Sequence, residues 1–441
     1  MYDEITNIAK EIFEKNRDRR RDLHRYPEKG WLEMRTSAII AKILTELGYQ
    51  VLTGRSVCDG EARMGVPDEK ELAEHAAEVR EWNTPLDYLT EEMEAGYTGV
   101  IGILSCGAGP TVALRFDIDA LGVLESEAQN HRPSAEGFRS VVPGVMHACG
   151  HDGHTAIGLG TAEVLSKVRE HLHGTVKLIF QPAEEGVRGA RAIVAKGHLD
   201  DVDYFLGTHV APADGPDDGA VTPATYGSLA TSKYDVIYRG AAAHAGGFPE
   251  QGRNALLAAA NAALNLAAIP RHSAGASRIN VGTLHAGTGR NVIPDYAKLE
   301  LETRGETTEI NSFMEDCARR VCESAAAMYG CAFTMIKMGA ADSHHSDLDL
   351  ADRIAAMLEQ HYPDIPVSSV RNARNWGSED ISLMMNRVQE HGGKATCMRS
   401  VTSMAAPQHT ADFDIDEKVI EDGIRVFSAA VYELLRGGCD E

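Results

Sequence analysis

Short apolar runs that alternate with helix-like segments limit the folds open to this chain. The runs at residues 99–104, 111–116, 175–180 and 204–208 have the length and composition of buried strands. Between them, residues 155–171 repeat apolar side chains at the spacing of a helix. Strands that alternate with helices form a mostly parallel sheet that is covered on both faces. The sequence therefore predicts an α/β fold with such a sheet at its centre.

Side chains that can bind metals follow three of these predicted strands. Asp117 and Asp119 follow one of them. Glu184 and Glu185 follow the next, and His209 follows the last. Aspartate is common in turns, so a single carboxylate at such a place has an ordinary explanation. Ligand sites in open α/β sheets, however, form at the carboxyl ends of the strands. The repeated pattern predicts a functional site at that edge.

A compact group of metal-binding residue types precedes the helix-like segment at 155–171. Cys149 and His151 are two positions apart, and His147, Asp152 and His154 lie beside them. A single cysteine or histidine is usually an ordinary buried residue. Five such residues between glycines are better explained by a metal site, because thiolate, imidazole and carboxylate groups are the usual ligands of transition metals.

Composition narrows the functional class. The chain has 441 residues, of which 43% are hydrophobic, and this is enough for two domains. Its net charge of -22 argues against nucleic acid as a partner, since phosphates need a basic surface. No run of about 18 apolar residues predicts a membrane span, and no signal peptide is predicted at the start. Eight scattered cysteines do not resemble a disulfide framework, so we expect a cytoplasmic protein.

The sequence pattern changes near residue 223. From there to residue 338 the predicted elements follow the order β-α-β-β-α-β, which is typical of a compact ferredoxin-like module. We therefore predict a first domain formed by residues 1–222 and 339–441, interrupted by a second domain at 223–338. Residues 54–96 are polar and mostly helical in pattern, and we expect them to form an insertion beside the main core.

Six motifs, taken together, resemble the M20 metallopeptidase/amidohydrolase family. The similarity extends from about Arg20 to Glu433. The cysteine in the second motif indicates the amidohydrolase branch, which includes hydrolases of auxin conjugates, hippurate and aminobenzoyl-glutamate. Residues 64–69 and 330–341 look most like the aminobenzoyl-glutamate hydrolases. The motifs are LRFDIDAL (114–121), HACGHDGH (147–154), FQPAEEG (180–186), GTH (207–209), AHAG (243–246) and GSED (377–380).

The resemblance implies a zinc-peptidase-like catalytic domain with a mostly parallel sheet, and an inserted ferredoxin-like domain that serves as lid and dimer interface. It also implies two divalent metal ions per chain, with manganese favoured over zinc. The Cys149 thiolate would bridge the two ions. His151 and His209 would complete the ligands of one ion, and Glu185 and His409 would complete those of the other.

The resemblance gives the remaining acidic residues different roles. Glu184 would act as a general base and then as a general acid, since it would take a proton from the attacking water and return it to the leaving nitrogen. Other branches of the family have a histidine at the position of Arg115, and His151 would replace that ligand. Asp117 would then orient a ligand imidazole. Asp119 could be purely structural.

The inserted domain would contribute to the active site as well. The resemblance implies that His244 approaches the active site of the other chain in a dimer, where it binds the tetrahedral intermediate. Asn291, Arg290 and Arg304 would hold a substrate carboxylate, although Arg304 could equally be a surface residue of a strand. The partner would be a second copy of the chain or a homologous subunit, joined through the lid domain.

The expected activity is hydrolysis of p-aminobenzoyl-glutamate, a folate breakdown product, to p-aminobenzoate and glutamate. One alternative is a broader N-acyl-amino-acid deacylase of the hippurate or auxin-conjugate type. Another is a non-catalytic subunit of a hetero-oligomer, which would be free to lose some of the metal ligands and the general base, whereas this sequence retains them all. The substrate would be a small molecule, and neither nucleic acid nor membrane is an expected partner.

Overall fold

The computed structural model describes residues 1–213, 219–374 and 377–437. In these residues the helices are α1 (Tyr2–Arg25), α2 (Met34–Glu46), α3 (Glu69–Val79), α4 (Glu91–Glu94), α5 (Arg132–Glu136), α6 (His151–Lys167), α7 (Ala190–Ala195), α8 (Ala255–Ala267), α9 (Thr308–Met328), α10 (Leu348–His361), α11 (Ile381–Glu390) and α12 (Lys418–Leu435). The strands are β1 (Gln50–Thr53), β2 (Val100–Ser105), β3 (Thr111–Asp117), β4 (Thr175–Gln181), β5 (Tyr204–Pro212), β6 (Val221–Thr222), β7 (Ala224–Tyr226), β8 (Ala230–Arg239), β9 (Ala243–His244), β10 (Ser277–Ala286), β11 (Val292–Ile293), β12 (Tyr296–Gly305), β13 (Ala332–Ala341), β14 (Asn372–Arg374) and β15 (Lys394–Thr402).

The chain forms two compact units. The first comprises Met1–Tyr226, His344–Arg374 and the chain from Leu383 onward, and the second comprises Gly227–Ser343 with a short segment that ends at Ser382. Of the helices in the described residues, none combines the length and the apolar character that crossing a bilayer requires.

A seven-stranded sheet, in the order β1-β2-β4-β3-β5-β15-β6, lies at the centre of the first unit. Its four middle strands, β4, β3, β5 and β15, are parallel, which confirms the predicted α/β class. The strands β1, β2 and β6 pair antiparallel at the two edges, so the sheet is mixed rather than mostly parallel. Because the middle strands share one direction, their carboxyl ends lie at one edge, where ligand sites form in this class of fold.

The sequence pattern does not predict β15, which lies between β5 and β6. Its buried positions include hydroxyl side chains instead of a continuous apolar run. Thr396 donates a hydrogen bond of 2.7 Å to the carbonyl oxygen of Pro223, and the hydroxyl of Ser400 lies 3.1 Å from that of Thr208. A strand is predicted near Val367 instead, where the described residues form a single isolated bridge.

Helix α6 begins at His151, earlier than the predicted start at Thr155, and ends at Lys167 rather than at His171. Gly150 precedes it with φ of 91°, a left-handed conformation that glycine adopts without strain. The helix packs against α1, α12 and the sheet, and its first fifteen residues are buried. The early start places a predicted metal ligand in the first turn of a helix that the core holds on several sides.

Residues 54–96 are less helical than their pattern predicts. They contain α3 and the four-residue α4, and turns and two short 3-10 helices account for much of the remainder. The helix α3 packs on a small apolar cluster that is separate from the main core of the first unit; its buried members are Leu32, Met34, Ala76 and Val79.

The second unit has the predicted order β-α-β-β-α-β, formed by β8, α8, β10, β12, α9 and β13. Its antiparallel sheet has the strand order β10-β12-β8-β13. The helices α8 and α9 cover one face of this sheet and enclose an alanine-rich core. The short strands β9 and β11 pair with each other beside the main sheet, with His244 opposite Val292.

Candidate active site

The predicted metal ligands of the first unit come from separate parts of the chain and converge at one place. Cys149 and His151 lie at the start of α6, His209 lies on β5, Glu185 follows β4, and His409 precedes α12. Three of the groups whose donor atoms lie within 4.8 Å of one another contain at least two of these ligands. The groups are Cys149, His151 and His209; Cys149, Glu185 and His409; and His151, Glu184 and Glu185.

Cys149 belongs to two of these groups and lies between them. Its Sγ atom is 3.5 Å from Nε2 of His209, and in the other group Nε2 of His409 is 3.4 Å from Oε1 of Glu185. Burial raises the pKa of the Cys149 thiol, so a thiolate here needs a compensating positive charge. A divalent cation would supply that charge, because a thiol that coordinates a metal loses its proton.

His151 is held in the orientation of a metal ligand. Its Nδ1 atom lies 2.9 Å from the carbonyl oxygen of Asp119, and its Nε2 atom is buried without a hydrogen-bond partner in the described residues. Burial lowers the pKa of His151, but the Asp117 carboxylate, 3.7 Å from Nε2, raises it well above its ordinary value. The carboxylates of Asp117 and Glu184 lie 3.7 and 3.9 Å from Nε2, and this set of donor atoms fits a transition metal.

A constrained turn carries Glu184 and Glu185. Ala183 has φ of 51° and Val187 has φ of 59°, a left-handed conformation that non-glycine residues rarely adopt. The carboxylate of Asp119 accepts hydrogen bonds from the backbone N–H groups of Glu184, at 3.1 Å, and Glu185, at 2.9 Å. Asp119 is thus more than a turn residue, since it fixes the backbone of both glutamates and also binds a ring nitrogen of the adjacent imidazole.

Asp117 lies behind these groups. Nη1 of Arg115 donates to its carboxylate at 2.7 Å, and Nδ1 of His154 forms a short hydrogen bond with its other oxygen. Burial raises the pKa of Asp117, but the charges of Arg115, His151 and His154 hold it well below its ordinary value. Asp117 is therefore ionised, and Nδ1 of His151 donates its hydrogen bond to the carbonyl oxygen of Asp119 instead of to Asp117.

The other members of the cluster around Cys149 have different partners. Both ring nitrogens of His154 are in hydrogen bonds, since Nε2 accepts from the backbone N–H of Val210 at 3.0 Å. Oδ2 of Asp152 lies 2.6 Å from Nε of the buried Arg20. Burial lowers the pKa of His147 to about 4, so this imidazole is neutral. Among the described residues, none of these three belongs to a ligand group that contains Cys149 or Glu185.

In the second unit, the structure brings two of the predicted substrate-binding residues together. His244 is exposed on β9, and the neighbouring N–H of Ala245 donates a 3.0 Å hydrogen bond to the carbonyl oxygen of Asn291. Arg290 precedes Asn291 in the chain and is also exposed. These residues share one end of the unit, where β8 ends and β12 begins.

Arg304 lies at the opposite end of β12. Its Nε and Nη2 atoms donate to the carboxylate of Glu302 at 3.0 and 3.1 Å. At about 3.3 Å per residue, roughly 26 Å of strand separates Arg304 from Tyr296, the first residue of β12. The structure therefore does not bring Arg304 to His244 and Asn291 within one chain.

The sequence does not identify two features of these surroundings. Asp119 contacts both the backbone of the two glutamates and the ring of His151, and only its position two residues after Asp117 indicates this in the sequence. Gln408 lies 3.6 Å from Sγ of Cys149 through its Nε2 atom, and its only signal is that it precedes His409. Both contacts depend on loops that follow strands or precede helices, and their paths are not encoded in a periodic pattern.

The sequence matches a known family model over residues 113–433; the model describes Peptidase family M20/M25/M40. The chain is 50% identical over 402 residues to the indole-3-acetyl-aspartic acid hydrolase of Enterobacter agglomerans, a match that covers 91% of each protein. It is 45% identical over 402 residues to a p-aminobenzoyl-glutamate hydrolase subunit of Escherichia coli (strain K12), again with 91% of each protein covered.

Solved structures agree with these matches. The aminobenzoyl-glutamate utilization protein from Klebsiella pneumoniae is 41% identical and superposes with a TM-score of 0.82 over 96% of each chain. A dinuclear metal-binding peptidase of the M20 family from Bacillus subtilis is 25% identical and gives a TM-score of 0.65, with 97% of this chain and 99% of that chain covered.

Proposed function

The chain belongs to peptidase family M20/M25/M40, and from this membership we propose that it hydrolyses p-aminobenzoyl-glutamate at the amide to give p-aminobenzoate and glutamate. The observation that carries the proposal is the pair of ligand groups that share Cys149, with the carboxylate of Glu184 beside them. Two metal ions and a nearby carboxylate are the parts that hydrolysis of an unactivated amide needs. The similarity to the p-aminobenzoyl-glutamate hydrolase of Escherichia coli supports the choice of substrate.

The proposed cofactor is a pair of divalent ions, with manganese favoured over zinc. Cys149 would contribute to both ions; His151 and His209 would hold one of them, and Glu185 and His409 would hold the other. When bound, the ions polarise the amide carbonyl and lower the pKa of the attacking water. The similar peptidase from Bacillus subtilis is a dinuclear metal-binding protein, and this supports two ions rather than one.

Glu184 is the proposed general base and general acid. Its carboxylate takes a proton from the attacking water and returns it to the leaving nitrogen. Its Oε2 atom lies 3.9 Å from Nε2 of His151, beside the proposed ligands. Its side chain is largely buried, so bulk water has little access to the carboxylate. The Asp119 carboxylate fixes the backbone of Glu184 through a hydrogen bond, and the Asp117 carboxylate supplies a negative charge next to His151.

The second unit, which extends from Gly227 to Ser343, supplies the proposed lid; the predicted bounds are 223–338 for the lid and 1–222 with 339–441 for the catalytic domain. His244 binds the tetrahedral intermediate, and Asn291, Arg290 and Arg304 hold substrate carboxylates. A substrate of dipeptide size spans only about 7 Å. Since His244 and Arg304 lie at opposite ends of one unit, both contact the same substrate only if they come from two chains. This separation supports a dimer of identical or homologous subunits.

The proposed compartment is the cytoplasm. The seven cysteines in the described residues are free thiols, and Cys439 lies outside those residues. Free thiols are typical of proteins in a reducing compartment.

A second candidate is an indole-3-acetyl-aspartate hydrolase, which the 50% identity to the Enterobacter agglomerans enzyme favours. It has the same chemistry and the same proposed site, and it differs only in the acyl group and in the length of the acidic side chain. A non-catalytic subunit is a weaker candidate, because the ligand groups and Glu184 are complete, and the donor atoms within each group lie within 4.8 Å of one another.

A substrate panel tests these candidates directly. The purified protein, loaded with manganese or with zinc, is assayed with p-aminobenzoyl-glutamate, indole-3-acetyl-aspartate, hippurate and N-acetyl amino acids. We expect the highest kcat/KM for p-aminobenzoyl-glutamate. Faster cleavage of hippurate or of N-acetyl amino acids would make the protein a broader deacylase, and no cleavage with either metal would favour the non-catalytic subunit.

A further inference from the structure

Arg188 joins the turn that carries the proposed metal ligand Glu185 to a distant part of the chain. Its Nε atom donates a hydrogen bond of 2.9 Å to the carbonyl oxygen of Glu185, and its Nη1 atom donates another of 2.9 Å to the carbonyl oxygen of Gly65. Gly65 belongs to the segment 54–96, called the insertion below, and all three residues lie in the first unit. One side chain therefore connects the insertion to the candidate metal centre.

The guanidinium of Arg188 lies in a closely fitted, half-buried place. An added Cβ atom at Gly30 would collide with Nη2 of Arg188 and would lie 2.9 Å from the Cα atom of Ala183. The backbone N–H of Arg188 donates a 3.1 Å hydrogen bond to the carbonyl oxygen of Ala183, and this bond closes the turn that contains Glu184 and Glu185. Arg188 is thus held by its backbone at the end of that turn, while its side chain folds back onto the turn.

The insertion is held near Gly65 mainly by hydrogen bonds to its backbone. Nε1 of Trp31 donates to the carbonyl oxygen of Met64 at 2.7 Å, and Nη1 of Arg63 donates to that of Gly96 at 2.8 Å. Helix α3 of the insertion packs on the small apolar cluster that is separate from the main core. Regions with few buried apolar contacts open more readily than a main core does. The hydrogen bond from Arg188 is therefore a substantial part of what fixes this segment.

Arginine is suited to a connection of this kind. Its planar guanidinium has five N–H donors in a fixed fork, so it can bind two acceptors at the same time. Hydrogen bonds from a charged donor are roughly twice as strong as those between neutral groups. The carbonyl groups of Gly65 and Glu185 thus share one strong donor, and a displacement of either group disturbs the other.

We propose that Arg188 is a positioning residue that couples the insertion to the metal position of Glu185. An ordered insertion fixes Arg188 through Gly65, and Arg188 fixes the backbone of Glu185, so the carboxylate keeps its direction beside His409. Such a coupling acts in both directions, so a metal ion held by Glu185 stabilises the insertion around Gly65. The inference rests on the proposed role of Glu185 as a metal ligand and deepens it.

Metal titration of Arg188→Ala tests the coupling. The affinities of the dialysed protein for Mn²⁺ and Zn²⁺ are measured by competition with a chelating dye. We expect the variant to bind one ion roughly 10- to 100-fold more weakly than the wild type, the range for groups that orient a metal ligand. The affinity for the ion of His151 and His209 should stay within about threefold of the wild type, because these ligands come from α6 and β5.

Two further variants separate the connection from the charge. Arg188→Lys keeps the charge but not the fork, so it should retain part of the affinity. Arg191→Ala is the matched control, because Arg191 is an exposed arginine on the adjacent helix α7. It removes the same charge from the same region, and it should bind both ions as the wild type does.

A double-mutant cycle tests whether the insertion acts through Arg188. Arg63→Ala removes a hydrogen bond within the insertion and leaves the Glu185 turn unchanged. It should weaken the same ion as Arg188→Ala does, and it should have no additional effect in the Arg188→Ala chain, because the connection is already broken there. Additive losses would show that the two residues act independently, and the coupling would be wrong.

Amide hydrogen exchange tests the opposite direction without any measurement of activity. Addition of Mn²⁺ or Zn²⁺ should slow exchange at residues 59–67 in the wild type and should have little effect there in Arg188→Ala. Equal slowing in both proteins would overturn the coupling. The same experiment on Arg191→Ala should reproduce the wild type.

The outcomes separate this inference from the proposed function. If the wild type binds two ions and Arg188→Ala binds both with the same affinities, the coupling is wrong and the proposed function stands. Equal weakening of both ions also rules the coupling out, since it indicates a general structural role. If Glu185→Gln keeps both ions at wild-type affinity, the ligand role of Glu185 fails, and this inference fails with it.

Discussion

Glu184 and Glu185 have identical side chains, and only their surroundings give them different proposed roles. Oε1 of Glu185 lies 3.4 Å from Nε2 of His409, whereas Oε2 of Glu184 lies 3.9 Å from Nε2 of His151. The sequence identifies the pair because it follows a buried strand. It does not reveal the left-handed conformation of Ala183, because alanine has no preference for positive φ and the surrounding contacts impose it.

Substitution of each glutamate should separate the two roles. Glu184→Gln should keep its metal content and lose roughly 10²- to 10⁴-fold in kcat, the range for removal of general acid–base catalysis. Glu185→Gln should lose most of one ion, because a neutral amide is a poor replacement for a carboxylate ligand. Elemental analysis of the dialysed proteins, combined with steady-state kinetics, measures both effects. The opposite pattern, with metal lost only in Glu184→Gln, would exchange the two assignments.

At the scale of secondary-structure elements, close contacts with the sheet fix the position of helix α6. Gly158 lies where an added Cβ atom would be 2.7 Å from the ring of Phe116 and 2.8 Å from that of Phe180. The sequence predicts most of this helix because its apolar residues are periodic. The sequence does not predict the first turn of α6, because polar side chains replace the apolar pattern there. It does not predict β15 either, because buried hydroxyl groups interrupt the apolar pattern of that strand.

Gly158→Ala tests how tightly α6 contacts the sheet. In an exposed helix this change should stabilise by about 1 kcal/mol through helix propensity. Here we expect a net loss of about 1–3 kcal/mol, because the new methyl group collides with two rigid rings. Urea unfolding of the metal-free protein measures the difference in free energy. Gly122→Ala is the control, since an added Cβ atom there has no neighbour within 4 Å. Equal or greater stability of Gly158→Ala would show that the helix can shift.

At the scale of the whole molecule, the second unit separates side chains that the proposed chemistry needs together. The sequence predicts its β-α-β-β-α-β order from alternation and helix periodicity. It does not show that Arg304 pairs with Arg278 at one end while His244 and Asn291 lie at the other. That separation depends on strand register, which turns and side-chain packing determine and which composition does not encode.

Mixing two inactive variants tests whether His244 acts in the site of the other chain. In a dimer of one His244→Ala chain and one Glu184→Gln chain, one of the two sites contains both wild-type groups. Random pairing should therefore restore about a quarter of the wild-type activity. Each variant alone, taken through the same mixing step, is the control. If native mass spectrometry shows mixed dimers and activity does not return, His244 acts in its own chain or outside catalysis.

The position of β15 has a consequence for how the protein is made. Its neighbour β5 ends at Pro212 and β15 begins at Lys394, so 182 residues (394 minus 212) of further synthesis separate the two. At about 5–20 residues per second, the ribosome needs roughly 10–40 s to supply the missing strand. Throughout that interval, β5 has no partner on one side, and an unpaired strand edge is a template for aggregation. The yield of native protein therefore depends on what shields β5 in the nascent chain, and slower translation prolongs the exposure.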